Sequence, residues 1–344
     1  MPEYRVAVVG ATGAVGPEVL RLLEERSYPA SEVAAFASAR SAGRRVPFAG
    51  GELEVRELTD DALEGFDLAL FSAGGGTSRR YAPEAVRRGC VVVDKSSAFR
   101  MAPEVPLVVP EVNGDAAAGH RGIVSNPNCS TIQLVMALKP LYDAAGITHL
   151  TIATYQAVSG TGAAAMQELR DQSRAVLDGH EARPEVYPHP IAFNVLPHCD
   201  SFEGLETTEE TKLVNETHKI LGDTSIGISA TCVRVPVWRG HSEAVWIETR
   251  TPLSAGDARE LLSQAPGVRV VDDPAGNAYP LATDAESTDD VLVGRIRADT
   301  SRENGLALWV VADNLRKGAA TNGIQIAELL AERGLVRVPN LEAA

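Results

Sequence analysis

The sequence predicts an α/β protein in two parts: an open parallel sheet with helices on both faces, then a mixed α+β domain built on a large sheet. Three observations predict it. Residues 4–9 end in the unbroken apolar run Val6, Ala7, Val8, Val9, typical of a parallel strand buried on both faces. Strand and helix patterns then alternate up to about residue 129, the mark of a doubly wound sheet. Beyond it long β segments follow one another with few crossover helices, which favours a largely antiparallel or mixed sheet. A chain of 344 residues is also long for a single core.

The first strand leads into Gly10-Ala11-Thr12-Gly13-Ala14-Val15-Gly16 and a helix carrying Val19, Leu20, Leu22 and Leu23. Strand, glycine turn and helix in that order form the setting of a dinucleotide fingerprint, here as GxxGxxG. Such a turn presents helix-start amides to an anion; a plain tight turn is the competing reading. The second strand, 33–37, ends at Ser38-Ala39-Arg40-Ser41, where an NAD enzyme would carry an acid for the ribose 2′-hydroxyl. Hydroxyls and a guanidinium suit a 2′-phosphate, so NADP is favoured over a merely solvated loop arginine. Residues 45–58 alternate around Gly50-Gly51 as a small hairpin does. Strand 68–71 runs into Ser72-Ala73-Gly74-Gly75-Gly76, whose bare backbone suits close approach to a cofactor. A helix is expected over 78–88 and a strand over 91–93, ahead of Asp94-Lys95-Ser96-Ser97-Ala98-Phe99-Arg100. This Rossmann-like part is expected to span 1–129, completed by a C-terminal helix at about 316–344, with the second domain at 130–315.

Composition is ordinary for a globular chain, with 44% hydrophobic and 23% charged residues. The chain opens directly into a strand, without a basic leader and apolar run, so no signal peptide is expected. No stretch approaches the roughly eighteen apolar residues of a membrane span. Cys90, Cys129, Cys199 and Cys232 are scattered without CxxC pairs, which suggests reduced thiols in a cytoplasmic protein and no metal site. The net charge of -14 argues against a nucleic-acid partner. An anionic substrate would need a local basic cluster.

The most informative stretch is Ser125-Asn126-Pro127-Asn128-Cys129-Ser130-Thr131. Ile123 and Val124 end a short strand, and Ile132, Leu134, Val135, Leu138 and Leu141 recur at helical spacing, so a helix begins near Ser130. Cys129 therefore sits at a strand-to-helix turn, where amides and dipole favour the thiolate. The same amides would hold a negative oxygen on a carbonyl under attack; a small residue buried at a turn is the alternative. Next come a strand over 147–153, Tyr155-Gln156-Ala157-Val158-Ser159-Gly160, and a helix to about 177. Residues 178–197 read as irregular, 206–221 as an amphipathic helix, and 228–237, 244–249, 291–297 and 306–311 as strands. Arg234 is flanked by apolar residues, and a buried unpaired charge is expensive. Glu209 and Lys212 share a helix face, as a solvated ion pair or as a binding pair. Seven histidines offer a base, and sequence physics does not choose among them.

Together these stretches resemble the aspartate-semialdehyde dehydrogenase family over essentially the full length. The match is carried by the glycine turn at 10–16, Ser38-Ala39-Arg40-Ser41, Ser97-Ala98-Phe99-Arg100 and the cysteine turn at 125–131. It continues through Tyr155-Gln156-Ala157-Val158-Ser159-Gly160, Glu209 with Lys212, Arg234 with His241, and Asp313-Asn314-Leu315. Acetylglutamyl-phosphate reductases usually have glycine before the cysteine and an aromatic after it; here Asn128 and Ser130 stand there.

The resemblance implies an NADP-dependent oxidoreductase of lysine, threonine, methionine and diaminopimelate biosynthesis, acting as a homodimer. Its reaction reduces L-aspartyl 4-phosphate to L-aspartate 4-semialdehyde and releases phosphate. It implies Cys129 as nucleophile, His241 as general acid/base and Gln156 as the group orienting the substrate carbonyl or the imidazole. A thioester on Cys129 accepts hydride more readily than a carboxylate does. The cofactor positions implied are Gly10, Ala11, Thr12, Gly13, Ala14, Val15, Ser38, Arg40, Ser41, Ser72, Ser159, Gly160 and Asn314. Arg234 would fork the α-carboxylate, Glu209 would take the α-amino group, and Arg100 and Lys212 the phosphate, with Asn128 also at the substrate. Two other readings are another acyl-phosphate reductase, such as acetylglutamyl-phosphate reductase, and a non-catalytic NADP-binding homologue. Loss of Cys129, His241 or Arg234 would mark the latter; all three are present.

Overall fold

The computed structural model describes residues 3–338; the end of the expected C-terminal segment, 339–344, lies outside the described residues. The chain divides into two compact units, one running to Asn128 and resumed at Ala319, the other spanning Cys129–Gly318.

The first unit is built on strands β1 (Tyr4–Val9), β2 (Ala30–Ala37), β3 (Arg45–Phe48), β4 (Gly51–Glu57), β5 (Leu68–Phe71), β6 (Val91–Asp94) and β7 (Ile123–Ser125). They form one seven-stranded sheet in the order β3-β4-β2-β1-β5-β6-β7, parallel except for the β3–β4 hairpin. Helices α1 (Gly16–Glu25) and α2 (Gly75–Arg87), the short α3 (Pro110–Asn113) and the C-terminal α9 (Thr321–Glu332) belong to this unit. Phe36, Phe66 and Phe71 lie in one apolar cluster between the sheet and its helices. The sheet order reverses at β1, where a crevice opens beyond the carboxyl ends of the strands. Three expectations need correction: β2 starts at Ala30 rather than 33, among the described residues the C-terminal helix covers Thr321–Glu332 rather than the whole of 316–344, and α2 starts at Gly75, three residues before the expected position 78. Gly75 and Gly76 lack side chains that signal helix, but with Gly74 extended as N-cap they form its first turn.

The second unit is centred on a six-stranded sheet in the order β11-β8-β12-β15-β14-β13. Its strands are β8 (Ile147–Gln156), β11 (Gly227–Arg234), β12 (His241–Thr249), β13 (Val268–Val270), β14 (Val291–Ala298) and β15 (Gly305–Ala312); β9 (Phe202–Glu203) and β10 (Glu206–Thr207) form a separate hairpin. The sheet is mixed: β11 runs parallel to β8 and β13 to β14, and the other pairs are antiparallel. Helices α4 (Cys129–Ala145), α5 (Ala163–Leu177), α6 (Thr208–Leu221), α7 (Ala255–Gln264) and the short α8 (Ala282–Ala285) complete the unit. Among them α4 packs on the sheet with α6 and α7 beside it. Leu150, Ile152, Thr154 and Gln156 point to that covered side and are buried, while Thr151, Ala153 and Tyr155 on the other face are partly exposed. Several boundaries differ from expectation: β8 runs on to Gln156 rather than ending at 153, β11 ends at Arg234 rather than 237, and two elements start elsewhere. α6 begins at Thr208, because Thr207 caps it in a reciprocal box with Glu210. β12 begins at His241 rather than 244, so the histidine is a strand residue. The short α7 and β13 were not expected from the sequence.

Candidate active site

In the first unit, a groove of about 670 Å³ opens where β1, β2 and β5 end. Gly10, Thr12 and Gly13 line its floor, Ser38, Arg40 and Ser41 one wall, and Ser72 and Gly74 the other. Gly10 has φ +84°, and a Cβ on it would lie 2.8 Å from the Ser72 backbone. At Gly16 a Cβ would lie 2.4 Å from the Gly10 carbonyl oxygen. Only glycine lets this turn fold so tightly that backbone amides at the α1 start face the groove. Ala11 and Val15 are buried beneath the turn and, with Ala14, do not line the groove. Arg44 and Tyr81 also line it and were not singled out from the sequence. Neither belongs to a recognisable motif, and the hairpin start at residue 45 drew Arg44 into a loop. Neither the Arg40 nor the Arg44 guanidinium pairs with a carboxylate among the described residues. The cradle therefore fits a dinucleotide, with the two guanidiniums of Arg40 and Arg44 on one wall.

The turn before the cysteine is held from both sides of the sequence. Asn322 of α9 donates to Asn126 Oδ1 at 2.7 Å, and Asn126 N–H donates to the Asp94 carbonyl at 2.8 Å. Arg100 is buried here, with Nε donating to the Asn126 carbonyl at 3.0 Å and Nη2 to that of Lys95 at 2.6 Å.

In the second unit, α4 begins at Cys129 itself, so the thiol leaves the first turn of the helix, at the positive end of its dipole. Gly318 lies against it: a Cβ there would approach Cys129 Cβ to 3.0 Å. Cys129 is partly exposed, whereas Cys90, Cys199 and Cys232 are buried. Burial pushes the thiols of Cys90 and Cys199 up to about 12 and that of Cys232 higher still. Those three are poor nucleophiles.

Arg234 and Gln156 are register partners at the ends of β11 and β8. β8 pairs Tyr155 with Ser242 of β12, so His241 continues the same row on the same sheet face. Gln156 Nε2 donates to Ser130 Oγ at 2.6 Å and to Glu209 Oε1 at 3.0 Å. Lys212 Nζ pairs with Glu209 Oε2 at 3.3 Å and also with Asp200. Ala157 binds both remaining members: its carbonyl accepts from Arg234 Nη1 at 2.8 Å, and its N–H donates to His241 Nδ1 at 3.1 Å. With Nδ1 an acceptor, neutral His241 carries its proton on Nε2, and Nε2 is buried without a partner. Burial, and next the Arg234 charge, hold the imidazole well below its ordinary value, so it is neutral at pH 7. Arg234 Nε also lacks a partner, and no carboxylate pairs with this guanidinium among the described residues. Ser159 Oγ donates to Asn314 Oδ1 at 3.0 Å, and Gly240 N–H to the same oxygen at 2.9 Å, leaving buried Asn314 Nδ2 unpaired. The structure brings together Gln156, Glu209, Lys212, Ser130, Arg234, His241, Ser159, Gly160 and Asn314.

The dinucleotide cradle and the mixed-sheet second unit place the chain among nicotinamide dehydrogenases of the semialdehyde dehydrogenase class. Residues 5–120 match the family model for the semialdehyde dehydrogenase NAD binding domain, and residues 138–317 that for the semialdehyde dehydrogenase dimerisation domain. The chain belongs to the aspartate-semialdehyde dehydrogenase family. It is 53% identical to the aspartate-semialdehyde dehydrogenase of Aquifex aeolicus (strain VF5) over 338 residues, 97% of this chain and 99% of the relative. It is also similar to the crystal structure of aspartate semialdehyde dehydrogenase II from Vibrio cholerae complexed with ASA. That likeness has a TM-score of 0.94 and 46% identity over 96% of this chain and 99% of the other. The aspartate semialdehyde dehydrogenase of Candida albicans, solved with NADP, matches with a TM-score of 0.74 and 26% identity over 97% and 100% of the two chains. Among the described residues no helix is long and apolar enough to cross a membrane.

Proposed function

We propose that this protein is a cytoplasmic, NADP-dependent aspartate-semialdehyde dehydrogenase that reduces L-aspartyl 4-phosphate through a thioester on Cys129. The observation that carries the reading is Arg234: a guanidinium 7% exposed, without a carboxylate partner, in one row with Gln156 and His241. A buried cation left unpaired is costly unless a ligand anion completes it, and the substrate α-carboxylate fits its fork. Glu209, tied to Gln156 and Lys212, is placed to take the α-amino group. Lys212 and Arg100 are the proposed phosphate ligands, and Asn128 stands next to the nucleophile in the chain.

Cys129 attacks the acyl carbon, the carbonyl electrons pass to oxygen, and their return expels phosphate and leaves the thioester. The dipole at the start of α4 favours the negative oxygen. His241 meets the same charge as a neutral Nε2–H donor, the state in which its surroundings hold it. To act as a base at Nε2 it must first move that proton to Nδ1 and give up the Ala157 N–H. Gln156, fixed by Ser130 and Glu209, orients the carbonyl. When bound, the nicotinamide cofactor supplies the hydride that reduces the acyl carbon. Cys129 then departs as thiolate while the aldehyde carbonyl forms. Gly10, Ala11, Thr12, Gly13, Ala14, Val15 and Ser72 form or support the cofactor cradle, and the unpaired Asn314 Nδ2, with Ser159 and Gly160, suits the carboxamide. Ser38, Arg40 and Ser41, joined by Arg44, support NADP over NAD, in keeping with the NADP bound by the Candida albicans relative.

The partly exposed sheet face, where Tyr155 and Trp309 rings lie 5.3 Å apart, supports a homodimer through the second unit. A spectrophotometric assay with aspartate semialdehyde, phosphate and NADP tests the reading by phosphate-dependent formation of NADPH. Turnover with N-acetylglutamate semialdehyde and none with aspartate semialdehyde would replace it.

A further inference from the structure

Behind the row of Gln156 and His241 lies a second, fully buried polar layer that the reaction does not use. Gln133 stands one helical turn after Cys129 on α4, and Glu243 stands two residues after His241 on the same face of β12. Thr154 of β8 is the register partner of Glu243. All three are 0% exposed. Gln133 Nε2 donates to the His241 carbonyl at 3.4 Å, and the Gln133 side chain lies beside the Glu243 carboxyl. Four oxygens of this layer have no partner: Gln133 Oε1, both carboxyl oxygens of Glu243, and Thr154 Oγ1. No cation pairs with Glu243 among the described residues.

An ionised carboxylate here would lie buried without a counter-ion and without a hydrogen-bond donor on either oxygen. Turning the Gln133 amide over to serve it would set Oε1 against the His241 carbonyl, acceptor against acceptor. One proton on Glu243 removes the conflict. Its O–H then has the partnerless Gln133 Oε1 as its acceptor. Burial pushes the carboxyl in the same direction, well above the usual carboxylate range.

We propose that Glu243 is a neutral carboxylic acid that acts as a positioning residue: it fixes the Gln133 amide, which ties the helix carrying Cys129 to the backbone of His241. The inference rests on the reading of Cys129 and His241 as the reacting pair. The experiment compares the full-length enzyme with E243Q, which keeps a donor in place, and E243L, which removes it. E243L should lower kcat by about tenfold or more while leaving the KM values for semialdehyde and phosphate within roughly twofold. E243Q should recover most of that loss. Infrared spectra of the wild type should show a buried carboxylic-acid carbonyl band, shifted in D2O and absent from E243Q. A fully active E243L, an E243Q as slow as E243L, or a wild type without the band would overturn the proposal. Should E243L not fold, E243Q and the band decide. An acyl group found on a cysteine other than Cys129 would instead refute the catalytic reading, whatever the band shows.

Discussion

Gly160 and His241 pack so closely that a Cβ built on the glycine would lie 3.2 Å from the imidazole Nε2 and 3.1 Å from Arg234 Nη1. The glycine thus leaves open the point at which a donor and a cation converge. Its backbone does not require glycine, since no left-handed φ is present. Gly160→Ala should therefore change space and little else. We expect kcat/KM to fall by about ten- to hundredfold, as for misplacement of reacting groups, with Tm nearly unchanged. A fully active variant would mean that the substrate does not use this point.

The carboxylate and phosphate sites should separate kinetically. Arg234→Ala should raise KM for the semialdehyde by roughly ten- to more than hundredfold, matching about 1.5–3 kcal/mol for a charged hydrogen bond. Arg234→Lys should recover little, because lysine lacks the planar fork. Arg100→Ala and Lys212→Ala should chiefly raise KM for phosphate in the oxidative direction. Titrating the two substrates separately checks the division. An Arg100→Ala enzyme altered only toward the semialdehyde would refute it.

Cofactor choice should depend on the two groove arginines. Arg40→Ala, and more so Arg40→Ala with Arg44→Ala, should raise KM for NADP far more than for NAD. The same charged hydrogen bond predicts about a tenfold or larger change in preference for each. Equal losses with both cofactors would mean that neither guanidinium reads a 2′-phosphate.

Much of this was legible in the sequence because its signals are local. The unbroken apolar run before Gly10 and the helical spacing after Cys129 identified the groove strand and the helix that opens at Cys129. Other features depend on long-range packing. Gly75 and Gly76 read as loop because a helix start without side chains leaves no pattern. Arg44 carries no motif, and its backbone pairing with Val55 of β4, just before β3, brings it to the groove. His241 was one of seven histidines until the sheet register placed it beside Gln156, and family resemblance alone had singled it out. Gln133 and Glu243 read as ordinary polar residues, since nothing in a sequence distinguishes a buried glutamate from a solvated one.

Buried His241 also predicts a pH effect on stability. Its folded value lies well below the ordinary 6.5, so below that pH the unfolded chain gains a proton that the folded protein does not. Stability from this residue is complete above about pH 6.5 and lost as pH falls, with a slope of up to about 1.4 kcal/mol per pH unit. Urea unfolding at pH 7.5 and 5.5 should show a larger loss for the wild type than for His241→Gln. Equal losses would mean that the imidazole is protonated or solvated in the folded protein.

The central claim is that Cys129 alone forms the acyl intermediate. Its side chain leaves the first turn of α4 partly exposed, while Cys90, Cys199 and Cys232 are buried with raised thiols. The most direct measurement is mass spectrometry of the enzyme incubated with aspartyl phosphate in the absence of NADPH, followed by peptide mapping. The account predicts one aspartyl adduct per chain, on Cys129, and none on Cys129→Ala, which should still bind NADP. An adduct on any of the other three cysteines, or turnover by Cys129→Ala, would contradict it.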